Sequence, residues 1–223
     1  MTRDELAQMI DHTNLKAAAG ETAIGKLCDE AKEYHFRSVC VNGAQVVRCR
    51  EYLVGSDVKI AVVAGFPLGQ NATAIKVAEA KLAIEQGANE VDYVLNVADL
   101  KEGRTDSVRE EMAVMTAACH DGGALVKVIF ENCYLTAEEI VTAAKIAREV
   151  KPDFIKTSTG FGTYGARAED VKLMKETVGD GVAVKAAGGI RDWRAAEMML
   201  SAGATRLGVS AGVNIIKEFD GRS

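Results

Sequence analysis

Prolines number only two and tryptophans one in the 223 residues, and no apolar run approaches the roughly 18 residues that a membrane span needs. The opening "MTRDELAQMI" has neither a long apolar core nor a cleavage-like end, so a cytoplasmic protein with no membrane partner is expected. Basic residues are outnumbered, 27 against 32, for a net charge of −5. That balance disfavours a general nucleic-acid binder, which needs a basic face to neutralise phosphates. Histidine is scarce as well: His12, His35 and His120 form no H-x-x-x-H or H-x-x-E-H pattern. The five cysteines, Cys28, Cys40, Cys49, Cys119 and Cys133, are odd in number and lack C-x-x-C spacing. Neither a disulfide framework nor a zinc site is suggested, and no metal or cofactor is expected.

What the chain does contain is apolar mass, 48% hydrophobic residues beside 26% charged, the balance of a compact globule. Short β-rich runs alternate with helical stretches from end to end. The runs are "MIDHTNL" (9–15), "SVCVN" (38–42), "KIAVVAGF" (59–66), "EVDYVLN" (90–96), "LVKVIFE" (125–131), "FIKTSTG" (154–160), "VAVKAAGG" (182–189) and "RLGVSAG" (206–212). Between them, "TAIGKLCDEAKEY", "NATAIKVAEAKLAIEQG" and "TAEEIVTAAKIAREV" repeat apolar residues at three and four, and Thr136 with Glu139 has capping-box spacing. Eight such units in about 220 residues predict an α/β fold, a (β/α)8 TIM barrel occupying 1–223 as a single domain. A doubly wound open sheet is the rival. In a barrel, reactive residues belong at the C-terminal ends of strands and in the loops that follow.

Two formal motifs mislead. "GFGTYG" (160–165) matches G-x-G-x-x-G, but a dinucleotide fingerprint opens the first βαβ unit, and this one arrives in the sixth. Gly160 and Gly162 are read instead as loop glycines that turn or approach a phosphate. "GVSAG" (208–212) matches G-x-S-x-G, the hydrolase elbow, whose histidine follows the serine. No histidine lies in 213–223, so Ser210 is not such a nucleophile.

Three predicted strands carry a lysine in the interior of the run: Lys127, Lys156 and Lys185. Any one of them could be a surface lysine whose stem covers apolar area. Three in consecutive strands of a barrel covered on both faces are harder to place. A lysine attacks carbonyls only when neutral, and a neighbouring cation or an apolar pocket favours that form. Lowering a lysine from about 10.4 to about 7 takes roughly 4.6 kcal/mol. Two ammonium groups about 5 Å apart at an effective dielectric of about 20 supply roughly 3.3 kcal/mol of it. Asp11, Asp92 and Glu131 occupy corresponding strand positions, as partners for those lysines, as proton carriers, or as both. Gly188 and Gly189 after the seventh strand, and Gly208, Ser210 and Gly212 on the eighth, fall where many such barrels bind phosphate. Arg191 could add charge there or lie exposed at a helix start.

With "IDHTNLK", "SVCVN", "EVDYVLN", "KVIFE", "FIKTSTGF", "VKAAGGIR" and "GVSAG" in this order, nearly the whole chain resembles the deoxyribose-phosphate aldolase family. The resemblance implies a metal-free enzyme that reversibly cleaves 2-deoxy-D-ribose 5-phosphate to acetaldehyde and D-glyceraldehyde 3-phosphate through a Schiff base. It implies that Lys156 is the Schiff-base lysine, that Lys185 perturbs it, that Asp92 works with Lys185 and water on the C3 hydroxyl, and that Asp11 supports or relays protons. Thr159, Gly160, Gly188, Gly189, Gly208 and Ser210 match substrate- or phosphate-contacting positions, Arg191 would assist them, and Cys40 matches a pocket cysteine. A small phosphorylated sugar is the implied partner, and a homodimer is the family-like expectation. Two features depart from the pattern. Phe161 stands where some members carry a phosphate-holding lysine after "TSTG", and "IIKEFDGRS" lacks the tail tyrosine that some members bring to the active site. Another lysine-dependent aldolase, or a barrel that binds phosphosugars without catalysis, are the alternatives.

Overall fold

The computed structural model describes residues 1–221. Its eight strands are β1 (Ile10–Thr13), β2 (Ser38–Val41), β3 (Lys59–Ala64), β4 (Glu90–Val94), β5 (Leu125–Ile129), β6 (Phe154–Lys156), β7 (Ala183–Ala187) and β8 (Arg206–Val209). They close, all parallel, into a barrel in sequence order, with β1 paired to both β2 and β8. The helices are α1 (Arg3–Ala7), α2 (Glu21–Glu33), α3 (Val46–Tyr52), α4 (Thr73–Gln86), α5 (Val97–Lys101), α6 (Thr105–Asp121), α7 (Ala137–Val150), α8 (Ala168–Val178), α9 (Trp193–Ser201) and α10 (Gly212–Asp220). The predicted barrel is therefore the observed one. The capping box forms as the spacing predicts: Thr136 N–H donates to Glu139 Oε2 at 2.8 Å and Glu139 N–H to Thr136 Oγ1 at 3.3 Å, fixing the start of α7.

The strands are shorter than predicted, and the error lies mostly at their C-terminal ends. β6 stops at Lys156, so Thr157–Gly160 is loop, and Gly212 opens α10 where the eighth run was expected to continue. Apolar and β-branched residues in those loops imitate strand, because the loops are themselves buried: Thr157 and Ser158 are inaccessible to solvent.

Alternation along each strand separates two interiors. Val39 and Val41 of β2, Val91 and Tyr93 of β4, and Val184 and Ala186 of β7 join the apolar layer between barrel and helices. The intervening residues, Ser38 and Cys40, Glu90 and Asp92, Lys185 and Ala187, take the opposite face, into the barrel. The apolar layer holds the fold together. The barrel interior carries charge.

A separate ion pair secures β4 from outside. Lys76 of α4 is fully buried; its Nζ donates to Glu111 Oε2 of α6 at 2.7 Å and to the Val94 carbonyl at 2.9 Å, while Glu111 Oε1 accepts from Asn96 N–H at 3.0 Å. Removing one partner of a buried pair leaves the other charge uncompensated. Lys76→Met is thus expected to lower stability by about 3–5 kcal/mol, read as a shifted urea midpoint. A loss below about 1 kcal/mol would mean that Glu111 finds another way to be satisfied.

Candidate active site

The barrel register brings the charged residues together. Asp92 of β4 pairs across from Lys127 of β5, Lys156 of β6 from Lys185 of β7, and Lys185 from Arg206 of β8. Asp92 is the hub. Its Oδ1 accepts from Lys127 Nζ at 2.6 Å, and its Oδ2 accepts from Lys156 Nζ at 2.8 Å and Lys185 Nζ at 2.7 Å. Asp11 of β1 accepts from Lys185 Nζ, from Ser38 Oγ at 2.8 Å and from Arg206 at 2.7 Å. Glu90, two residues before Asp92 and on the same face, pairs with Lys127 at 2.6 Å and Arg206 at 2.9 Å. Four buried cations (Lys127, Lys156, Lys185, Arg206) thus share three carboxylates (Asp11, Glu90, Asp92), and the partly exposed Arg37 stands 3.9 Å from Glu90 at the edge of the network. Lys156 contacts one carboxylate within 4.0 Å, whereas Lys127 contacts three.

Burial would raise the Asp92 carboxyl, but Lys127, Lys156 and Lys185 outweigh it and hold Asp92 well below the usual carboxylate range. Asp11 behaves likewise: burial is opposed by Lys185, Lys127 and Arg206, and the net shift is downward. Burial pulls Lys127 and Lys185 down while the carboxylates beside them push further up, so both end above an ordinary lysine. The signs determine the stability profile. The contribution of Asp11 and Asp92 is fully present above their unfolded value of 3.8 and is lost as pH falls from there towards the depressed folded values. That of Lys127 and Lys185 is present below their unfolded value of 10.5 and is lost as pH rises through the raised folded values. Urea midpoints followed by Trp193 fluorescence should fall on both flanks, below 3.8 and above 10.5. Unchanged midpoints on either flank would contradict the assigned pairs.

Above this network, the loops after β5 to β8 build a wall. Glu131, just past β5, has a left-handed backbone (φ 56°, ψ 61°) uncommon for a residue with a side chain. Its buried carboxylate accepts from Thr159 N–H at 3.1 Å and from Thr159 Oγ1, and Thr159 Oγ1 in turn accepts from Phe161 N–H at 3.0 Å. Glu131 therefore pins the loop that follows Lys156; no lysine pairs with it within 4.0 Å among the described residues, although Lys156 is near enough to pull its carboxyl down. Burial raises its carboxyl, with the Thr159 hydrogen bonds opposing. Gly165 of "GFGTYG" has a packing reason, whereas Gly160 has open space and a positive φ of 89°: a Cβ on Gly165 would lie 2.2 Å from the Gly188 carbonyl oxygen, so the β6 and β7 loops touch backbone to backbone. Gly208 is constrained from below, where a Cβ would sit 2.9 Å from Ala187 Cβ and 3.0 Å from Lys185 Cε. Gly208→Ala is expected to displace the Lys185 amine and reduce kcat about 10- to 100-fold with the fold retained. Wild-type kcat in a folded variant would show that Lys185 tolerates the shift.

A cavity of about 580 Å³ opens over this wall. Lys156, Thr159, Gly160, Gly188, Gly189, Arg191, Gly208 and Ser210 all line it, as do Lys16 and Lys26. Asp92, Lys185 and Asp11 lie fully buried outside the lining; Asp92 contacts Lys156 directly, Lys185 shares Asp92 Oδ2 with it, and Asp11 is linked through Lys185. Cys40 is also outside the lining. It packs with Ala61 and Val63 in the barrel interior, where burial pushes its thiol up while Lys185 pulls it down. Phe161 is exposed and stands edge-to-face against Phe66, centroids 5.4 Å apart. Four network members, Lys127, Glu90, Arg206 and Ser38, were not assigned as site residues from sequence. Glu90, Ser38 and Arg206 precede Asp92, Cys40 and Gly208 by two residues, so strand alternation alone could have found them. At strand starts, they resemble ordinary edge charges.

A family model described as DeoC/LacD family aldolase matches residues 6–218. The chain is 55% identical over 214 residues to the deoxyribose-phosphate aldolase of Lactobacillus acidophilus, spanning 96% of this chain and 90% of that protein. It is 50% identical over 220 residues to that of Aciduliprofundum boonei, covering 99% of each. A solved structure of a tetrameric deoxyribose phosphate aldolase from Aeropyrum pernix superimposes with a TM-score of 0.92 at 30% identity, over 100% of this chain and 94% of that one. A closed barrel with lysines and carboxylates in its interior, together with matches of this extent, establishes that the chain belongs to the DeoC/LacD family of aldolases.

Proposed function

We propose that this chain reversibly cleaves 2-deoxy-D-ribose 5-phosphate to D-glyceraldehyde 3-phosphate and acetaldehyde through an imine on Lys156. One observation carries the assignment of the nucleophile. Four buried cations, Lys127, Lys156, Lys185 and Arg206, crowd around Asp11, Glu90 and Asp92, and they differ in how firmly they are held and in what they face. Of the four, Lys156 is the one that lines the cavity, and it is the one with a single carboxylate, Asp92, within 4.0 Å. A neutral amine facing a cavity is a nucleophile for a carbonyl.

The steps follow from these positions. Lys156 Nζ attacks C1 of the open-chain aldehyde and water departs, leaving a protonated imine. The C3 hydroxyl gives up its proton to the Asp92 carboxylate, with the Lys185 ammonium stabilising the negative charge that develops on the C3 oxygen, the C3 oxygen becomes a carbonyl, and the C2–C3 electron pair moves into an enamine. Glyceraldehyde 3-phosphate leaves, the enamine takes a proton at C2, and water hydrolyses the imine to acetaldehyde and free Lys156. Asp92, held ionised, also steadies the cationic imine nitrogen. Because the imine nitrogen is the electron sink, no metal or cofactor takes part, and EDTA is expected to leave the rate unchanged.

The substrate phosphate sits against the Gly160, Gly188–Gly189 and Gly208–Ser210 backbone, where β8 leads into the N-terminus of α10. Lys16, Lys26 and Arg191 supply the positive charge that Phe161 does not. Phosphate bound there contributes binding energy remote from the reacting carbons. The proposal includes a cytoplasmic homodimer; among the described residues no helix is long and apolar enough to cross a membrane. Product identification by NMR tests the reaction. Acetaldehyde with glyceraldehyde 3-phosphate is the expected pair, and turnover of another phosphorylated sugar but not this one would assign a different aldolase.

A further inference from the structure

At the opposite, N-terminal end of the barrel lies a second cavity of about 620 Å³, lined by Gln8, Lys32, His35, Phe36, Arg37, Gly55, Ser56, Asp57, Val58 and Lys59. Lys59 begins β3, and Arg37 immediately precedes β2. In barrels of this kind chemistry belongs to the other end, so a polar cavity here has no part in the aldol reaction.

Three basic side chains, Lys32, Arg37 and Lys59, line the cavity with one carboxylate, Asp57. Lys32 is partly neutralised by Asp29 at 2.9 Å and donates to the Tyr52 carbonyl at 3.2 Å. Lys59 makes no ion pair among the described residues. The Arg37 side chain is partly exposed; its Nε is buried without a hydrogen-bond partner and forms only a loose ion pair with Glu90 Oε1, at 3.9 Å. A buried donor left unsatisfied is costly and calls for an acceptor. The cavity is shaped by fixed backbone: His35 holds a left-handed conformation (φ 56°), and its carbonyl accepts from Gln8 Nε2 at 2.8 Å.

We propose that this cavity binds the phosphate group of a small molecule, with Arg37 and Lys59 as its principal contacts and Lys32 at the rim. Arginine and lysine pair with phosphate as planar fork and point charge respectively. The volume exceeds that of a bare ion, so a phosphate monoester fits. The site stands independently of the reaction proposed for Lys156.

The test is a titration of the 15N-labelled full chain with inorganic phosphate and, separately, with glycerol 1-phosphate. Saturable amide shifts at Gly55, Ser56 and Asp57 are expected, distinct from those at Gly188 and Gly189 in the active site. Lys59→Gln should weaken the first set about three- to tenfold without altering the second, and Asp57→Asn should tighten it, with kcat unchanged in both. Tighter binding of the ester supports a small-molecule ligand, and equal binding supports free phosphate. Shifts confined to Gly188 and Gly189, or shifts at Gly55–Asp57 that Lys59→Gln leaves intact, would overturn the proposal.

Discussion

Lys156→Ala is expected to lower kcat for aldol cleavage by at least about ten-thousand-fold, because no other group can form the imine that makes C2 a leaving carbanion. The fold should survive. Asp92 keeps Lys127 at 2.6 Å and Lys185 at 2.7 Å when Lys156 is gone, so no buried carboxylate is left unpaired. Phosphate binding should survive as well, since the glycine loops and Arg191 line the cavity independently of the amine. Lys156→Arg should be as inactive as the alanine variant: a guanidinium retains charge but cannot become a neutral nucleophile. Steady-state kinetics with a coupled assay for glyceraldehyde 3-phosphate, alongside circular dichroism, measures both effects. Residual activity within tenfold of wild type would remove Lys156 from the mechanism.

Asp92→Asn is the second large effect, and it acts on fold and chemistry together. Asp92 is the shared partner of Lys127, Lys156 and Lys185. Neutralising it worsens the cation surplus at a fully buried position, which should cost about 3–5 kcal/mol of stability. It also removes the proton acceptor for the C3 hydroxyl, for which a loss of about 100- to 10,000-fold in kcat is expected. The two are separable with Lys127→Met. That change relieves the surplus without touching the reacting atoms, so combined with Asp92→Asn it should restore much of the stability but not the rate. A double variant that regained activity would make Asp92 structural only.

The barrel and its chemistry were unequally legible in the sequence. Strand order, number and the α7 cap follow from apolar periodicity and a four-residue motif, which are local signals. Lys156, Lys185, Asp92 and Asp11 stood out because charge in a strand covered on both faces demands a reason. What stayed hidden depends on closure. Nothing local says that Arg206 of β8 reaches Asp11 of β1 at 2.7 Å, because that contact exists only once the sheet closes on itself. The simple picture of one lysine repelling another was incomplete for the same reason: Lys127 and Arg206 add two cations and Glu90 one carboxylate, so charge balance belongs to the whole interior. Glu131 was misjudged because its left-handed backbone turns the side chain out of strand alternation and onto Thr159. The strand ends were overrun because buried functional loops have the composition of strands.

The imine on Lys156 is tested most directly by intact mass after mixing the wild-type chain with acetaldehyde and borohydride, followed by peptide mapping. One reduced two-carbon adduct on the peptide containing Lys156, absent from Lys156→Ala, is the expected result. A folded protein with no adduct, or with the adduct on Lys127 or Lys185, would contradict the account.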